Sequence, residues 1–62
     1  MIEYHTGDIL KDRDWNEDLY MIIEVELDEE LYNKYTLLDL SDHTRSFTIR
    51  YQAINSFYKK LT

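Results

Sequence analysis

The clearest pattern along the chain is a regular alternation of side chains over residues 19–27. Every second position is apolar, and the positions between them include Glu24 and Glu26. A period of two is typical of a strand, whereas a helix would scatter the two glutamates across its apolar side. We therefore expect a strand with both glutamates in water. The row expected to face the core consists of Leu19, Met21, Ile23, Val25 and Leu27.

The segments on either side of this strand are polar and read as connections. Gly7 and Asp8 predict a turn that leads into a short strand at residues 9–11. Residues 12–18 are almost entirely polar and predict a loop, and residues 28–34 predict a second one. Since proline is absent and Gly7 is the only glycine, the other turns must be made by Asp, Asn, Ser and His.

A hairpin is predicted in the second half of the chain. Residues 35–40 and 45–50 have the composition of strands, and the four polar residues 41–44 separate them. Two strands joined by a short polar turn form a hairpin. Within the second of these strands, we expect Phe47 and Ile49 to face the core.

Residues 51–61 allow two interpretations. Four apolar positions recur three and four residues apart, as in a helix: Ile54, Phe57, Tyr58 and Leu61. The alternative is a 3₁₀ turn at residues 52–55 followed by a strand at residues 57–61, which the aromatic enrichment favours. We prefer the second, because a fifth strand would let a small sheet curl towards closure.

Length and composition predict one folded domain over residues 1–62. A chain of this size has a marginal core, and without cysteine it has no disulfide to support it. Because 44% of the residues are hydrophobic and 15% aromatic, we expect a folded chain rather than a disordered one. No apolar run approaches the length of a membrane span, and no secretion signal is visible, so we expect a cytoplasmic protein.

The predicted order of elements resembles an SH3-like barrel. The likeness rests on the opening Gly-Asp-Ile-Leu strand at residues 7–10 and on the single turn before the last strand. It is closest to the short SH3-like domains of uncharacterised tailed-phage proteins, although residues 42–43 are Asp-His where such domains often have glycine. The resemblance implies a mainly β, five-stranded barrel with one 3₁₀ turn before the last strand. It also implies a phage-encoded protein in the host cytoplasm.

Charge is divided unevenly between the two halves of the chain, whose formal net charge is −6. Residues 1–31 hold eleven acidic residues against two basic ones, a net of −9. Residues 32–62 hold two acidic residues against five basic ones, a net of +3. An acidic half could face a basic partner, and tryptophan is enriched in binding hot spots. The expected contact residues are Asp12, Asp14, Trp15, Glu17, Asp18, Glu24, Glu26, Asp28, Glu29 and Glu30.

Two motifs resemble chemical sites but are better explained as loops. Alternate oxygen-bearing side chains at residues 12–18 resemble the start of a calcium loop, yet Glu17 takes the glycine position and Ile23 the bidentate glutamate position. Residues 41–43 are Ser-Asp-His, but triad members come from separate segments that meet in space. We therefore expect no metal, no cofactor and no enzymatic activity.

The aromatic residues have two readings as well. Five tyrosines are expected to pack across strands, with a groove for an extended peptide as the alternative: Tyr20, Tyr32, Tyr35, Tyr51 and Tyr58. Basic residues are interleaved with aromatic ones over residues 45–60, which is the composition that single-stranded nucleic acid needs. The overall negative charge disfavours that partner.

These observations favour a small acidic protein-binding module that occupies a surface on a larger protein. Glu24, Glu26 and residues 28–30 could present a row of carboxylates, with alternate positions about 6.6–6.8 Å apart, that imitates nucleic acid. The alternative is a structural or assembly protein that acts as a homo-oligomer, because a small core and open sheet edges favour association.

Overall fold

The computed structural model describes residues 4–13, 18–26 and 33–61. Within these ranges the chain forms one antiparallel sheet and one short helix, so the mainly β prediction is confirmed. Helix α1 (Tyr51–Phe57) connects the last two strands. The strands are β1 (Ile9–Asp12), β2 (Leu19–Glu26), β3 (Lys34–Asp39), β4 (Ser46–Arg50) and β5 (Tyr58–Lys60).

The five strands of the described ranges have the order β4-β3-β2-β1-β5. The last strand thus lies beside the first, and β4 and β5 are the two edges of the sheet. No ladder joins these two edges in the described part of the chain, so the sheet is not closed and closure into a barrel stays a prediction. No helix in these ranges is long and apolar enough to cross a membrane.

Strand register divides the sheet into two faces, because residues directly opposite each other in an antiparallel ladder point the same way. The inner face carries Leu10, Asp12, Tyr20, Ile22, Val25, Tyr35, Leu37, Asp39, Phe47, Ile49, Tyr58 and Lys60. The outer face carries Ile9, Lys11, Leu19, Met21, Glu24, Glu26, Lys34, Thr36, Leu38, Ser46, Thr48, Arg50 and Lys59.

The predicted facing of β2 is wrong for Leu19, Met21 and Ile23 and confirmed for Val25, while Leu27 lies outside the described residues. The strand shifts register between Ile22 and Glu24, so that Ile23 is an extra residue in a β-bulge. Ile22 is fully buried, whereas Ile23, which was expected in the core, is 40% exposed. Before the bulge, Tyr20 and Ile22 point to the inner face. After the bulge, Val25 points to the inner face. The exposure expected for both glutamates is confirmed.

The core lies between the inner face of the sheet and helix α1. Its buried members are Tyr4, Leu10, Ile22, Tyr35, Leu37 and Ile54. The ring of Tyr4 packs edge to face against Tyr35 and Tyr51, with 5.7 Å between ring centroids in each pair. Edge-to-face pairs of this kind add stability beyond the area they bury. Tyrosine side chains therefore make up a large part of this core, which contains few residues.

The β3–β4 hairpin is formed as predicted. Residues 40–45 form the connection and include the predicted turn at 41–44, with Asp39 N donating to Arg45 O and Arg45 N donating to Asp42 O, each at 3.0 Å. Asp42 Oδ1 accepts hydrogen bonds from Thr44 N at 3.1 Å and from Thr44 Oγ1 at 2.6 Å. Asp42 thus holds the turn, as expected for a turn without glycine.

The predicted 3₁₀ turn at residues 52–55 is wrong, because the chain forms the α-helix α1 there. Its one buried side chain is Ile54, which is fully inside the core. A seven-residue helix has little stability of its own, so the burial of Ile54 holds it in place. The strand expected at residues 57–61 is confirmed, with bounds Tyr58–Lys60.

The turn before β1 also forms as predicted. Gly7 has a φ of +96°, which side chains with a Cβ rarely adopt. Gly7 N donates to Ile22 O at 2.7 Å, and Ile22 N donates to Asp8 O at 3.0 Å. The turn is therefore fastened to β2 beside the bulge.

Replacing Ile54 by alanine should destabilise the protein by about 2–5 kcal/mol, because it removes buried methyl groups and leaves a cavity. That loss is a large fraction of the stability of so small a domain. Ile54→Val should cost about 0.5–1.5 kcal/mol and remain measurable by urea unfolding. The control is Phe57→Ala in the same helix, where the side chain is 57% exposed. Equal losses for Ile54→Ala and Phe57→Ala would contradict the role given to Ile54.

Stability should fall in acid, in part because of Asp39. Ser41 Oγ and Ser41 N donate hydrogen bonds to Asp39 Oδ1 at 2.7 and 2.8 Å. These bonds lower the pKa of the Asp39 carboxyl. A group whose pKa is lower in the folded state stabilises the fold above its unfolded pKa, about 3.9 for aspartate, and loses that contribution as the pH falls through the lowered value. Asp39→Asn should therefore flatten the fall in unfolding free energy between neutral pH and pH about 2.

Urea unfolding at a series of pH values measures the slope of the unfolding free energy against pH. Ser41→Ala removes one of the two hydrogen bonds and should flatten the slope by a smaller amount. An unchanged slope in Asp39→Asn would show that other carboxyls carry the whole acid sensitivity.

Candidate functional site

Four of the ten expected contact residues lie in the described ranges, and they lie in two places. Asp12 is on the inner face at the end of β1, and Asp18 directly precedes β2. Glu24 and Glu26 are on the outer face of β2. The other six lie outside the described residues: Asp14, Trp15, Glu17, Asp28, Glu29 and Glu30.

Three aromatic rings meet near Asp12 and Asp18. The ring of Tyr20 packs edge to face against Phe47 with 5.6 Å between centroids, and against Tyr58 with 5.4 Å. We call these three residues the Tyr20 cluster. Tyr20 and Tyr58 are half-buried, and Phe47 is 36% exposed. The cluster thus combines residues of β2, β4 and β5 into one partly exposed aromatic surface.

Strand register places the Tyr20 cluster at one end of the inner face. Tyr20 is opposite Leu10 of β1 and Asp39 of β3, and Tyr58 is opposite Asp12. The fully buried side chains of Leu10 and Ile22 lie next to Tyr20 on the same face. The cluster is therefore continuous with the core on one side and open to solvent on the other.

Backbone contacts of Arg13 fix the position of Tyr58. Arg13 N donates to Phe57 O at 3.0 Å, and Arg13 Nε donates to Tyr58 O at 2.9 Å. These bonds join the end of β1 to the junction of α1 and β5. Because Tyr58 begins β5, its ring is held beside Asp12 by the β1–β5 ladder and by the two bonds from Arg13 as well as by its own packing.

Carboxylates give the Tyr20 cluster a negative electrostatic environment. Burial raises the pKa of Tyr20, and the charges of Asp18, Asp39 and Asp12 raise it further, whereas Arg45 lowers it. Burial also raises the pKa of Tyr58, with further contributions from Tyr20 and Asp12. Apart from that of Arg45, these effects disfavour additional negative charge at the phenol oxygens. The field of the carboxylates, unlike burial, also favours a positive group placed against the rings.

Asp39 is the one described acidic residue that is buried, with 6% of its surface exposed. Its Oδ1 accepts hydrogen bonds from the backbone and hydroxyl of Ser41, which fix the direction of the carboxylate. It was not among the expected contact residues. The feature of the sequence that could have identified Asp39 is its position between Leu38 and Leu40, because a charged residue in a buried strand usually has a specific role.

The outer glutamates lie on a surface of mixed charge. Glu26 is opposite Lys34, which is in turn opposite Arg50 in the next strand. Glu24 is opposite Thr36, whose hydroxyl hydrogen-bonds with that of Thr48 at 3.2 Å. Cations beside Glu26 reduce the resemblance of this strand to a row of phosphates.

Basic residues of the second half do not form one surface either. Lys60 is on the inner face and its Nζ lies 3.2 Å from Asp8 Oδ2, while Lys59 is on the outer face. Burial raises the pKa of Asp8, but a hydrogen bond from His5 N and the Lys60 ammonium outweigh it and lower the pKa. Lys60 therefore supports the turn at Gly7 rather than an interleaved basic and aromatic strip.

The described residues contain no group of three or more His, Cys, Asp or Glu side chains placed to hold a metal ion. Asp42 of the Ser-Asp-His sequence is engaged with Thr44, which agrees with its interpretation as a turn residue. The Tyr20 cluster with Asp12, Asp18 and Asp39 is thus the most distinctive arrangement of polar and aromatic groups in this part of the chain.

No protein-family model, curated protein or solved structure matches the chain. The interpretation of the Tyr20 cluster therefore rests on its own geometry and charge.

Proposed function

We propose that this protein is a small acidic protein-binding module that receives a basic segment of a partner at the Tyr20 cluster. The observation that carries the proposal is the placement of one half-buried ring, Tyr20, between two other rings and among three carboxylates. Aromatic faces and carboxylates both attract cations, and here they lie together. The preferred ligand group is an arginine or lysine side chain.

Energetic considerations support a guanidinium or ammonium group at this position. A cation on an aromatic face gains about 0.5–1 kcal/mol when exposed and about 2 kcal/mol or more when desolvated. Edge-to-face packing already fixes the ring orientations, so binding orders few side chains further. Long-range attraction by a chain with a net charge of −6 would speed the encounter with a basic partner.

The expected contacts outside the described residues fit this proposal by their place in the sequence. Asp14, Trp15 and Glu17 lie between Arg13, which bonds to Tyr58, and Asp18, whose charge acts on Tyr20. We therefore retain these three residues as contacts of the same partner. Glu24 and Glu26, on the outer face of the sheet, lie outside this site, and nucleic acid remains a disfavoured partner because of the net charge.

The finer fold assignment and biological setting are part of the proposal. An SH3-like barrel is supported by the position of β5 beside β1 and by the short helix that precedes β5. Contacts of Tyr20 with rings from both edge strands are also what a curled sheet would produce. A phage protein that occupies a host protein surface in the cytoplasm is supported by the sequence resemblance alone.

The proposal can be tested with a capped, arginine-rich peptide that contains no acidic or aromatic residue. Amide and aromatic NMR shifts should change around Tyr20, Phe47 and Tyr58, and the affinity should fall as salt screens the charges. Phe47→Ala should weaken binding about two- to fivefold, as expected for the loss of about 0.5–1 kcal/mol of cation–π attraction.

Matched variants separate a specific site from general attraction to an acidic chain. Asp18→Asn and Glu24→Gln each remove one negative charge, the first beside the Tyr20 cluster and the second on the outer face. Only Asp18→Asn should weaken the peptide substantially. Phe57→Ala, which truncates an exposed ring elsewhere, should have no effect. Equal effects of the two charge variants, or shifts spread over the whole surface, would contradict the proposed site.

A further inference from the structure

Arg45 lies beside the Tyr20 cluster on the inner face of the sheet. Asp39 N donates to Arg45 O at 3.0 Å, and Asp39 is opposite Tyr20 in the β2–β3 ladder. These three residues therefore form one row across β2, β3 and the residue directly before β4. Arg45 also precedes Phe47 by two residues, and alternate residues of a strand point to the same face. Because its side chain is exposed, Arg45 can contact a partner that covers the cluster.

The guanidinium of Arg45 has no hydrogen-bond or ion-pair partner among the described residues. The charge of Arg45 acts on two carboxylates, those of Asp39 and Asp42, but both are engaged elsewhere. Asp39 Oδ1 accepts hydrogen bonds from Ser41. Asp42 Oδ1 accepts hydrogen bonds from Thr44. The donors of Arg45 are therefore open to a group of a partner, and a guanidinium binds a carboxylate well through two parallel hydrogen bonds.

The charge of Arg45 also acts at the centre of the Tyr20 cluster. Burial raises the pKa of Tyr20 and the charges of three carboxylates raise it further, whereas Arg45 lowers it. The carboxylates outnumber the guanidinium at Tyr20, so a first cation is still attracted there. A second cation placed towards Arg45 is repelled, and an anion in that place is attracted. The cluster therefore has a negative side and a positive side.

We infer that Arg45 determines which basic segments the Tyr20 cluster accepts, by pairing with an acidic side chain of the same segment. The inference rests on the proposed function and specifies its partner, because it adds an acidic group at a defined place beside the basic one. A basic side chain against Tyr20 and a carboxylate against Arg45 each meet an opposite charge. A segment with two neighbouring cations brings one of them against Arg45 and binds less tightly.

The spacing of the sheet defines where the acidic residue lies in the partner. Tyr20 and Arg45 are separated by two strand spacings, roughly 9.6 Å, because β3 lies between β2 and β4. In an extended segment, residues two positions apart point the same way and are about 6.6–6.8 Å apart. The long side chains of arginine and glutamate span the difference. The partner motif is therefore a basic and an acidic residue with one residue between them.

Capped peptides test this motif at moderate salt, where long-range attraction is screened. Each peptide has a fixed arginine and one varied position, which is Glu, Gln or Arg. The varied position lies two residues before the arginine in one series and two residues after it in the other, so that both chain directions are tested. In one series the Glu peptide should bind best and the Arg peptide worst. General attraction to a chain with a net charge of −6 gives the reverse order. Absence of the expected order from both series would overturn the inference.

Matched variants assign the preference to Arg45. Arg45→Gln should lower the ratio of Glu-peptide to Gln-peptide affinity about two- to fivefold, as expected for the loss of one exposed ion pair. Arg45→Lys keeps the charge and should keep part of the preference. Lys59→Gln removes an exposed cation on the outer face and should leave the ratio unchanged. The same ratio in the unaltered protein and in Arg45→Gln would show that Arg45 does not select the partner.

The same titrations separate this inference from the proposed function. Arg45 bonds to Asp39 and Asp42 through its backbone, so exchange of its exposed side chain should preserve the fold, which urea unfolding checks. NMR shifts around Tyr20, combined with an equal effect of Arg45→Gln on all peptides, would overturn the role of Arg45 alone. Absence of shifts at the Tyr20 cluster with every peptide would overturn both proposals.

Discussion

The bulge in β2 is the constraint on which both faces of the sheet depend. Strict alternation would place Glu24 and Glu26 on the same face as Tyr20 and Ile22, inside the core. Burying two carboxylates without partners costs far more than one irregular residue in a strand. The extra residue, Ile23, lets Val25 pack opposite Tyr35 and leaves both glutamates outside. Hydrogen bonds from Gly7 N to Ile22 O and from Ile22 N to Asp8 O support the strand at this point. The inner position of Tyr20 and the outer position of both glutamates are compatible only because of this change of register.

Strand positions could be predicted from the sequence, but the facing of β2 could not. In residues 19–27 two rows of side chains alternate along the strand. Periodicity favours the uninterrupted apolar row as the one that faces the core. A bulge restarts the alternation, and no residue in the strand marks its position. A helix within residues 51–61 was the less favoured of two interpretations, because no capping side chain marks its ends and it depends on the burial of Ile54. The β3–β4 hairpin was predicted correctly because its turn is local, with Asp42 bonded to Thr44.

Only part of the candidate site could be found from local patterns. Asp12 and Asp18 were expected from the acidic loop, and Tyr20 and Tyr58 from the number of tyrosines. Their meeting with Phe47 depends on the order of strands, since residues 20, 47 and 58 are distant in the sequence and belong to β2, β4 and β5. Asp39 joins them through its register with Tyr20. Strand pairing is a non-local property, and a single sequence contains no direct record of it.

The position of the Tyr20 cluster on one face of the sheet has a consequence for binding. Tyr20 and Met21 are neighbours in β2 but point to opposite faces, so a partner at the Tyr20 cluster leaves the outer face uncovered. A cation on an aromatic face gains about 0.5–1 kcal/mol when exposed and about 2 kcal/mol or more when desolvated. A single basic side chain would therefore be held only weakly, and firm attachment of a partner requires further contacts with the carboxylates around Tyr20.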